Sequence, residues 1–113
     1  MITIYHNNRC TKSRCALELI EKKTKDFEVI EYLKTPPSEK ELKEILKKLG
    51  MKAEEIIRKK EPLFKEKFAK KQFSEDQWIK ILVQNPILIE RPIVVKGNKA
   101  VIGRPPENIL QII

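Results

Sequence analysis

The 113-residue sequence contains only two cysteines and one histidine. Two cysteines do not form the framework of a disulfide-stabilised secreted domain, so we expect both thiols to be reduced. This small set also makes no convincing closed metal site, and we expect neither a metal nor a tightly bound organic cofactor. No stretch approaches the roughly 20 apolar residues of a membrane helix, and Met1 runs into an apolar segment without a charged leader. We therefore expect a cytoplasmic protein with no membrane partner.

Aromatic residues make up only 6% of the chain, which leaves little surface for the stacking of bases. The net charge of +8, from 24 Lys+Arg against 16 Asp+Glu, indicates either nucleic-acid affinity or a general preference for anions. Lysines stand beside glutamates in Lys40-Glu41 and Lys43-Glu44, which is typical of a solvated helical face. We therefore predict binding of a small anion and no nucleic-acid partner.

What the chain does contain is a cysteine, Cys10, at the start of a predicted helix. Unpaired backbone N–H groups and the positive end of the helix dipole favour a thiolate there, and we expect Arg9, Lys12 and Arg14 to add to this effect. The same N–H groups suit an oxyanion. The sequence therefore predicts that Cys10 is a nucleophile that attacks a bound oxyanion.

Alternating and helical patterns predict the elements of the fold. The first half contains a strand over residues 2–5, a helix with Ala16, Leu17 and Ile20 on its apolar face, and a strand over 27–33. The helical block contains a helix from the capping box of Ser38 and Glu41 to Gly50, a short helix over 53–59, and a helix from Ser74 to the Asn85-Pro86 pair. The last half contains a hairpin that turns at Gly97-Asn98 and a helix from Pro105 to Leu110. This order is that of an α/β, thioredoxin-like fold with an all-helical insertion between its βαβ and ββα halves. We predict one domain over residues 1–113, with the insertion at about 38–85 and a cis Arg91–Pro92 bond opposite the Cys10 loop.

Several separated motifs resemble those of a known family. They are Ile4-Tyr5-His6-Asn7 before Cys10, Ser13-Arg14 after it, Ile57-Arg58-Lys59, Asn85-Pro86-Ile87-Leu88-Ile89, Arg91-Pro92-Ile93-Val94-Val95 and Gly103-Arg104-Pro105. Together they cover essentially the whole chain and resemble the glutaredoxin-linked arsenate reductases of bacteria, within a wider arsenate reductase-like group that includes the regulator Spx.

The resemblance implies an arsenate reductase in which Cys10 attacks arsenate. Arg58, Arg91 and Arg104 would bind the anion, with His6, Ser13, Arg14 and Pro92 in support. It further implies glutathione as co-substrate and glutaredoxin as the partner that clears the resulting mixed disulfide.

Alternatives remain open at individual residues and for the whole protein. His6 either hydrogen-bonds near the thiolate or faces water. Arg58 either binds the anion or lies on a solvated face. For Cys15, a buried apolar side chain is favoured over a role as redox partner. The protein as a whole is alternatively a glutathione-dependent thiol-disulfide oxidoreductase without arsenate activity. An Spx-like regulator that binds RNA polymerase is disfavoured, because the two cysteines are not spaced as C-x-x-C.

Overall fold

A computed structural model describes residues 1–113, which form two compact units. We call Met1–Thr35 together with Arg91–Ile113 the sheet unit, and Pro36–Glu90 the helical unit. The helical block predicted between the two halves of the fold is therefore present, while the treatment of the chain as one domain stays a prediction.

The sheet unit contains a four-stranded sheet in the order β2-β1-β3-β4. Its elements are β1 (Ile2–His6), α1 (Thr11–Lys23), β2 (Phe27–Glu31), β3 (Ile93–Lys96), β4 (Lys99–Ile102) and a final 3₁₀ helix (Pro106–Gln111). Strand β1 pairs in parallel with β2, Ile4 opposite Val29, and antiparallel with β3, where Ile4 lies opposite Val94. The β3–β4 hairpin turns through Gly97, whose φ of 61° is the left-handed value that the turn requires, as predicted.

The core of the sheet unit lies where α1 and the final helix cover one face of the sheet. Residues alternate in burial along β1, so that every second side chain points into this core. Its buried members are Ile2, Ile4, Ala16, Ile20, Val94 and Ile109. The core anchors both ends of the loop between β1 and α1, which carries Cys10.

The helical unit contains α2 (Glu39–Leu49), a 3₁₀ turn (Ala53–Ile56), α3 (Pro62–Lys67), α4 (Glu75–Gln84) and a second 3₁₀ turn (Pro86–Leu88). Both predicted capping boxes are formed, Ser38 with Glu41 and Ser74 with Gln77, and each satisfies N–H groups at a helix start. Gly50 ends α2 in the left-handed conformation (φ 69°). Trp78 is buried and its ring centroid lies 4.8 Å from that of Phe73.

Three predicted elements differ from those observed. Strand β2 ends at Glu31 and not at Leu33. The chain turns back after Glu31, and the N–H groups of Lys34 and Thr35 donate to the Glu31 carbonyl oxygen. The segment predicted as helix over 53–59 is a 3₁₀ turn that ends at Ile56, after which Ile57 forms a β-bridge with Ile89. Helix α3 was not predicted, and the closing helix is of the 3₁₀ type and begins one residue after Pro105.

The longest helix, α1, has 13 residues, and no helix combines the length and apolar character needed to span a bilayer.

Candidate functional site around Cys10

The loop that presents Cys10 is held by short-range hydrogen bonds. The Cys10 N–H donates to the Asn7 carbonyl oxygen at 3.0 Å, and the Asn7 side-chain oxygen accepts from the Arg9 N–H, also at 3.0 Å. Cys10 itself occupies the N-cap position of α1, and its carbonyl oxygen accepts from the Arg14 N–H at 3.0 Å. The helix therefore begins directly behind the sulfur, which is half-buried and uncrosslinked.

Behind this loop, Ser13 and His6 form a buried pair. The His6 Nδ1 and Ser13 Oγ atoms are 2.6 Å apart, and the Asn7 N–H donates to the same oxygen at 3.1 Å. His6 is 3% exposed and Ser13 is fully buried. The Ser13 hydroxyl thus fixes both the end of β1 and the start of α1, which sets the direction of the Cys10 loop.

Two arginines from distant parts of the chain meet Cys10. Arg104 Nη2 lies 3.5 Å from Cys10 Sγ, and Arg104 Nε donates to the Arg91 carbonyl oxygen at 2.7 Å. The Arg91 guanidinium interacts with Cys10 both as a hydrogen-bond donor and as a charge. Two of its atoms, Nε and Nη1, are buried and have no hydrogen-bond partner. Such N–H groups are costly to leave unpaired, so the site is suited to an anion that accepts from them.

These neighbours decide the ionisation of the sulfur. Burial alone would raise the pKa of the Cys10 thiol, but the Ser13 N–H, the Arg91 guanidinium and the Lys12 N–H together lower it below its ordinary value. Burial alone would likewise lower the pKa of Arg91, whereas Tyr32 and Cys10 raise it. The site therefore pairs a thiolate with a permanently charged guanidinium, which is the composition needed for nucleophilic attack on an oxyanion.

Comparison with known proteins agrees with this geometry. The model of the ArsC family matches residues 5–112. The chain belongs to the ArsC family. It is 44% identical to an arsenate reductase of Neisseria meningitidis over 110 residues, covering 96% of this chain and 94% of that protein. It is also 48% identical to an uncharacterized Escherichia coli protein, YfgD, over 114 residues, covering 99% and 96% of the two chains.

Among solved structures, the arsenate reductase from Vibrio cholerae superposes with a TM-score of 0.93 at 43% identity, covering 99% of this chain and 97% of that one. The predicted arsenate reductase-like membership and the thioredoxin-like fold with a helical insertion are thereby confirmed. The ArsC match further supports an oxidoreductase.

Of the residues predicted to act in this ArsC-family site, Cys10, Arg91 and Arg104 meet in the sheet unit. Pro92 is fully buried behind Arg91, and the Arg91–Pro92 bond is cis, as predicted. Arg14 is exposed and its guanidinium donates to the Thr11 hydroxyl at 3.3 Å, so it acts within the first turn of α1.

Arg58 belongs to the helical unit and lies between the first 3₁₀ turn and α3. Its Nε donates to Glu61 Oε1 at 3.2 Å, and its side chain is only 21% exposed. The alternative of a freely solvated face therefore does not describe Arg58, and its role as an anion ligand stays a prediction.

One open alternative is decided and one expectation is corrected. His6 does not face water, because it is buried against Ser13. Cys15 is exposed and not buried, because the inward face of α1 is defined by Ser13, Ala16 and Ile20 and Cys15 lies off this stripe.

Three further residues contribute to the site and were not predicted as site residues. Tyr32 is 1% exposed and interacts with Arg91, although it lies just beyond the end of β2. Asn108 Nδ2 donates to the Arg104 carbonyl oxygen at 3.0 Å. Gly103 precedes Arg104, and a Cβ atom there would approach Pro92 Cγ to 2.9 Å. Only the glycine in the Gly103-Arg104-Pro105 motif signalled this close approach in advance.

Proposed function

We propose that this protein reduces arsenate to arsenite, with Cys10 as the nucleophile and Arg91 and Arg104 as anion ligands. The observation that carries the proposal is the contact of both guanidinium groups with one thiol whose pKa is lowered. The arsenate reductase name of the Neisseria relative supports the choice of arsenate among oxyanions.

The chemistry explains why arginines are needed. Arsenate carries one to two negative charges near neutral pH and repels a thiolate, so the site must supply positive charge that does not vanish by loss of a proton. Arginine remains charged, and its planar fork holds two oxygens at once. The unpaired Nε and Nη1 of Arg91 are the donors that an arsenate oxygen would satisfy.

The first step forms a covalent adduct. The Cys10 thiolate attacks arsenic, and one arsenate hydroxyl takes up a proton from solvent and leaves as water, so that the thiolate, monoanionic arsenate and one proton give an anionic thiol-arsenate and water. The backbone N–H groups of Ser13 and Lys12, which already stabilise the thiolate, would lie beside the remaining anionic oxygens.

The second step transfers two electrons. Glutathione thiolate attacks Cys10 sulfur, the sulfur–arsenic bond breaks, and its electron pair leaves with arsenic, which becomes arsenite after protonation. The two thiols are oxidised to a Cys10–glutathione disulfide while arsenic(V) is reduced to arsenic(III). A glutaredoxin thiol then exchanges with this disulfide and releases Cys10. This cycle needs a reducing compartment, so we place the protein in the cytoplasm.

Arg58 is proposed as a third anion ligand on the resemblance described above. Its Nε is paired with Glu61, which leaves the Nη groups as the atoms for this role. If it contributes, Arg58→Ala will raise KM for arsenate while the thiolate reactivity of Cys10 is unchanged.

The deciding experiment is a coupled assay of arsenate reduction with glutathione and glutaredoxin, run beside the same assay with thioredoxin. Cys10→Ser should abolish turnover while the circular dichroism spectrum is retained, and Cys15→Ser should retain activity. Full activity of Cys10→Ser would contradict the proposal.

A thiol-disulfide oxidoreductase without arsenate activity is the second candidate, because a thiolate of lowered pKa at a helix start is equally suited to disulfide exchange. It is favoured if a glutathionylated disulfide substrate is turned over while arsenate neither reacts nor protects Cys10 from alkylation.

A further inference from the structure

A cleft in the sheet unit lies beside the Cys10 loop, and Cys10, Arg91 and Arg104 do not line it. Its volume is about 290 Å³, close to the lower limit of about 300 Å³ for small-molecule sites. Asn7 and Arg9 line one wall, and Glu31, Leu33 and Lys34, from the end of β2 and the turn after it, line the other.

Each wall contains a residue that is adjacent in sequence to a residue of the anion site. Arg9 directly precedes Cys10, and Leu33 directly follows Tyr32, the partner of Arg91. The Arg9 N–H donates to the Asn7 side-chain oxygen, and this hydrogen bond fixes the backbone position from which the Arg9 side chain extends. A molecule held in the cleft therefore contacts the residue before Cys10, and it leaves Arg91 and Arg104, which do not line the cleft, free for the oxyanion.

The charges of the cleft indicate what kind of molecule it takes. Arg9 and Lys34 are cationic and Glu31 is anionic, with Lys34 Nζ 3.6 Å from Glu31 Oε2. Leu33 adds apolar surface and is 39% exposed. A compact dianion such as a second arsenate would be repelled by Glu31, whereas two cations and one anion match a peptide with two carboxylates and one ammonium group.

Glutathione has this composition: two carboxylates, one ammonium group and a thiol midway between them. We propose that the cleft binds glutathione, with Arg9 and Lys34 holding its carboxylates and Glu31 its ammonium group, so that its thiol faces Cys10. The inference rests on the proposed function, because it assigns a place to the co-substrate of the second step.

The test separates binding from turnover. S-methylglutathione, which cannot react, is titrated calorimetrically into the full-length protein and its variants. Exposed ion pairs contribute about 0.2–1 kcal/mol, so Arg9→Ala and Lys34→Ala should each weaken binding up to about fivefold, and more together. Lys25→Ala is the matched control, an exposed lysine before β2 that does not line the cleft, and it should bind like the native protein.

A second probe tests the chemistry of recognition. The diethyl ester of S-methylglutathione lacks both carboxylates and should bind all variants equally weakly. The inference is overturned if S-methylglutathione does not bind the native protein, or if Arg9→Ala and Lys34→Ala both behave like Lys25→Ala.

Turnover distinguishes failure of the inference from failure of the proposed function. In the arsenate assay, Arg9→Ala and Lys34→Ala should raise KM for glutathione and leave KM for arsenate unchanged. If the variants reduce arsenate with an unchanged KM for glutathione, the binding of glutathione in the cleft is refuted and the proposed function stands. Charge-dependent binding of S-methylglutathione without any arsenate reduction refutes arsenate as substrate and supports the cleft.

Discussion

Replacement of Arg91 by alanine tests the electrostatic origin of Cys10 reactivity. Two unit charges about 4 Å apart interact by about 1 kcal/mol in water and about 4 kcal/mol near a protein surface. Cys10 is partly exposed, so the lower part of this range applies and the loss is about 1–2 kcal/mol. That loss corresponds to a thiolate population about 5- to 30-fold smaller at a pH below the pKa of the thiol.

Reactivity falls by less than the thiolate population does. A thiolate of higher pKa is a better nucleophile, with a Brønsted coefficient of about 0.4–0.5, and this offsets nearly half of the loss on a logarithmic scale. We therefore expect Arg91→Ala to slow reaction with a small neutral disulfide about two- to sixfold at a pH below the pKa. At alkaline pH, where Cys10 is ionised in both the variant and the native protein, the variant should react as fast as the native protein or faster.

The sign of the pH dependence follows from the lowered pKa of Cys10. Native reactivity persists as the pH falls until the pH passes below the folded-state pKa, and in Arg91→Ala the fall begins at higher pH. The measurement is made in a Cys15→Ser background, because Cys15 is exposed and would react as well. Arg91→Lys is the control that retains charge. Superimposable rate–pH profiles for Arg91→Ala and the background protein would refute the reasoning.

Other substitutions test the scaffold of the site. Ser13→Ala removes the shared partner of His6 and of the Asn7 N–H and leaves buried polar groups unpaired, so urea denaturation should show a loss of about 1–3 kcal/mol; a loss below about 0.3 kcal/mol would contradict this role. Gly103→Ala places a Cβ 2.9 Å from Pro92 Cγ, and we expect both a lower midpoint of unfolding and weaker protection of Cys10 by arsenate, whereas native behaviour would show that the neighbours yield. Ser38→Ala should cost about 1 kcal/mol of stability through the lost cap and leave Cys10 reactivity unchanged; an altered thiol reactivity would mean that the helix end influences the site.

The elements with local signals were predictable from the sequence. The serine-to-glutamate and serine-to-glutamine spacings placed the starts of α2 and α4, because a cap is decided by residues three apart. Gly97 placed the hairpin turn for a similarly local reason. The six-residue helix α3 has too few turns for a periodic pattern, and the short 3₁₀ turn before Ile57 depends on its pairing with Ile89, which is 32 positions further along the chain.

The candidate site was likewise predictable where the signal is local and not where distant residues meet. The position of Cys10 at a helix start follows from the strand and helix on either side. The side-chain charge that lowers its pKa comes from Arg91. The charges predicted from the sequence, those of Arg9, Lys12 and Arg14, belong to exposed side chains. The resemblance named Arg91 and Arg104. Tyr32 could not be predicted, because it interacts with Arg91 through the fold and lies far from it in the sequence.

The hydrogen bond from Arg104 Nε to the Arg91 carbonyl oxygen links the two cationic arms of the site. A change that displaces the backbone at position 91 therefore also displaces the guanidinium at position 104, so that the two arginines are not independent contributors. Thermodynamic coupling between them follows: in a double-mutant cycle, the second truncation should cost less than it does alone. Engineering of altered oxyanion preference would accordingly need to redesign this pair jointly.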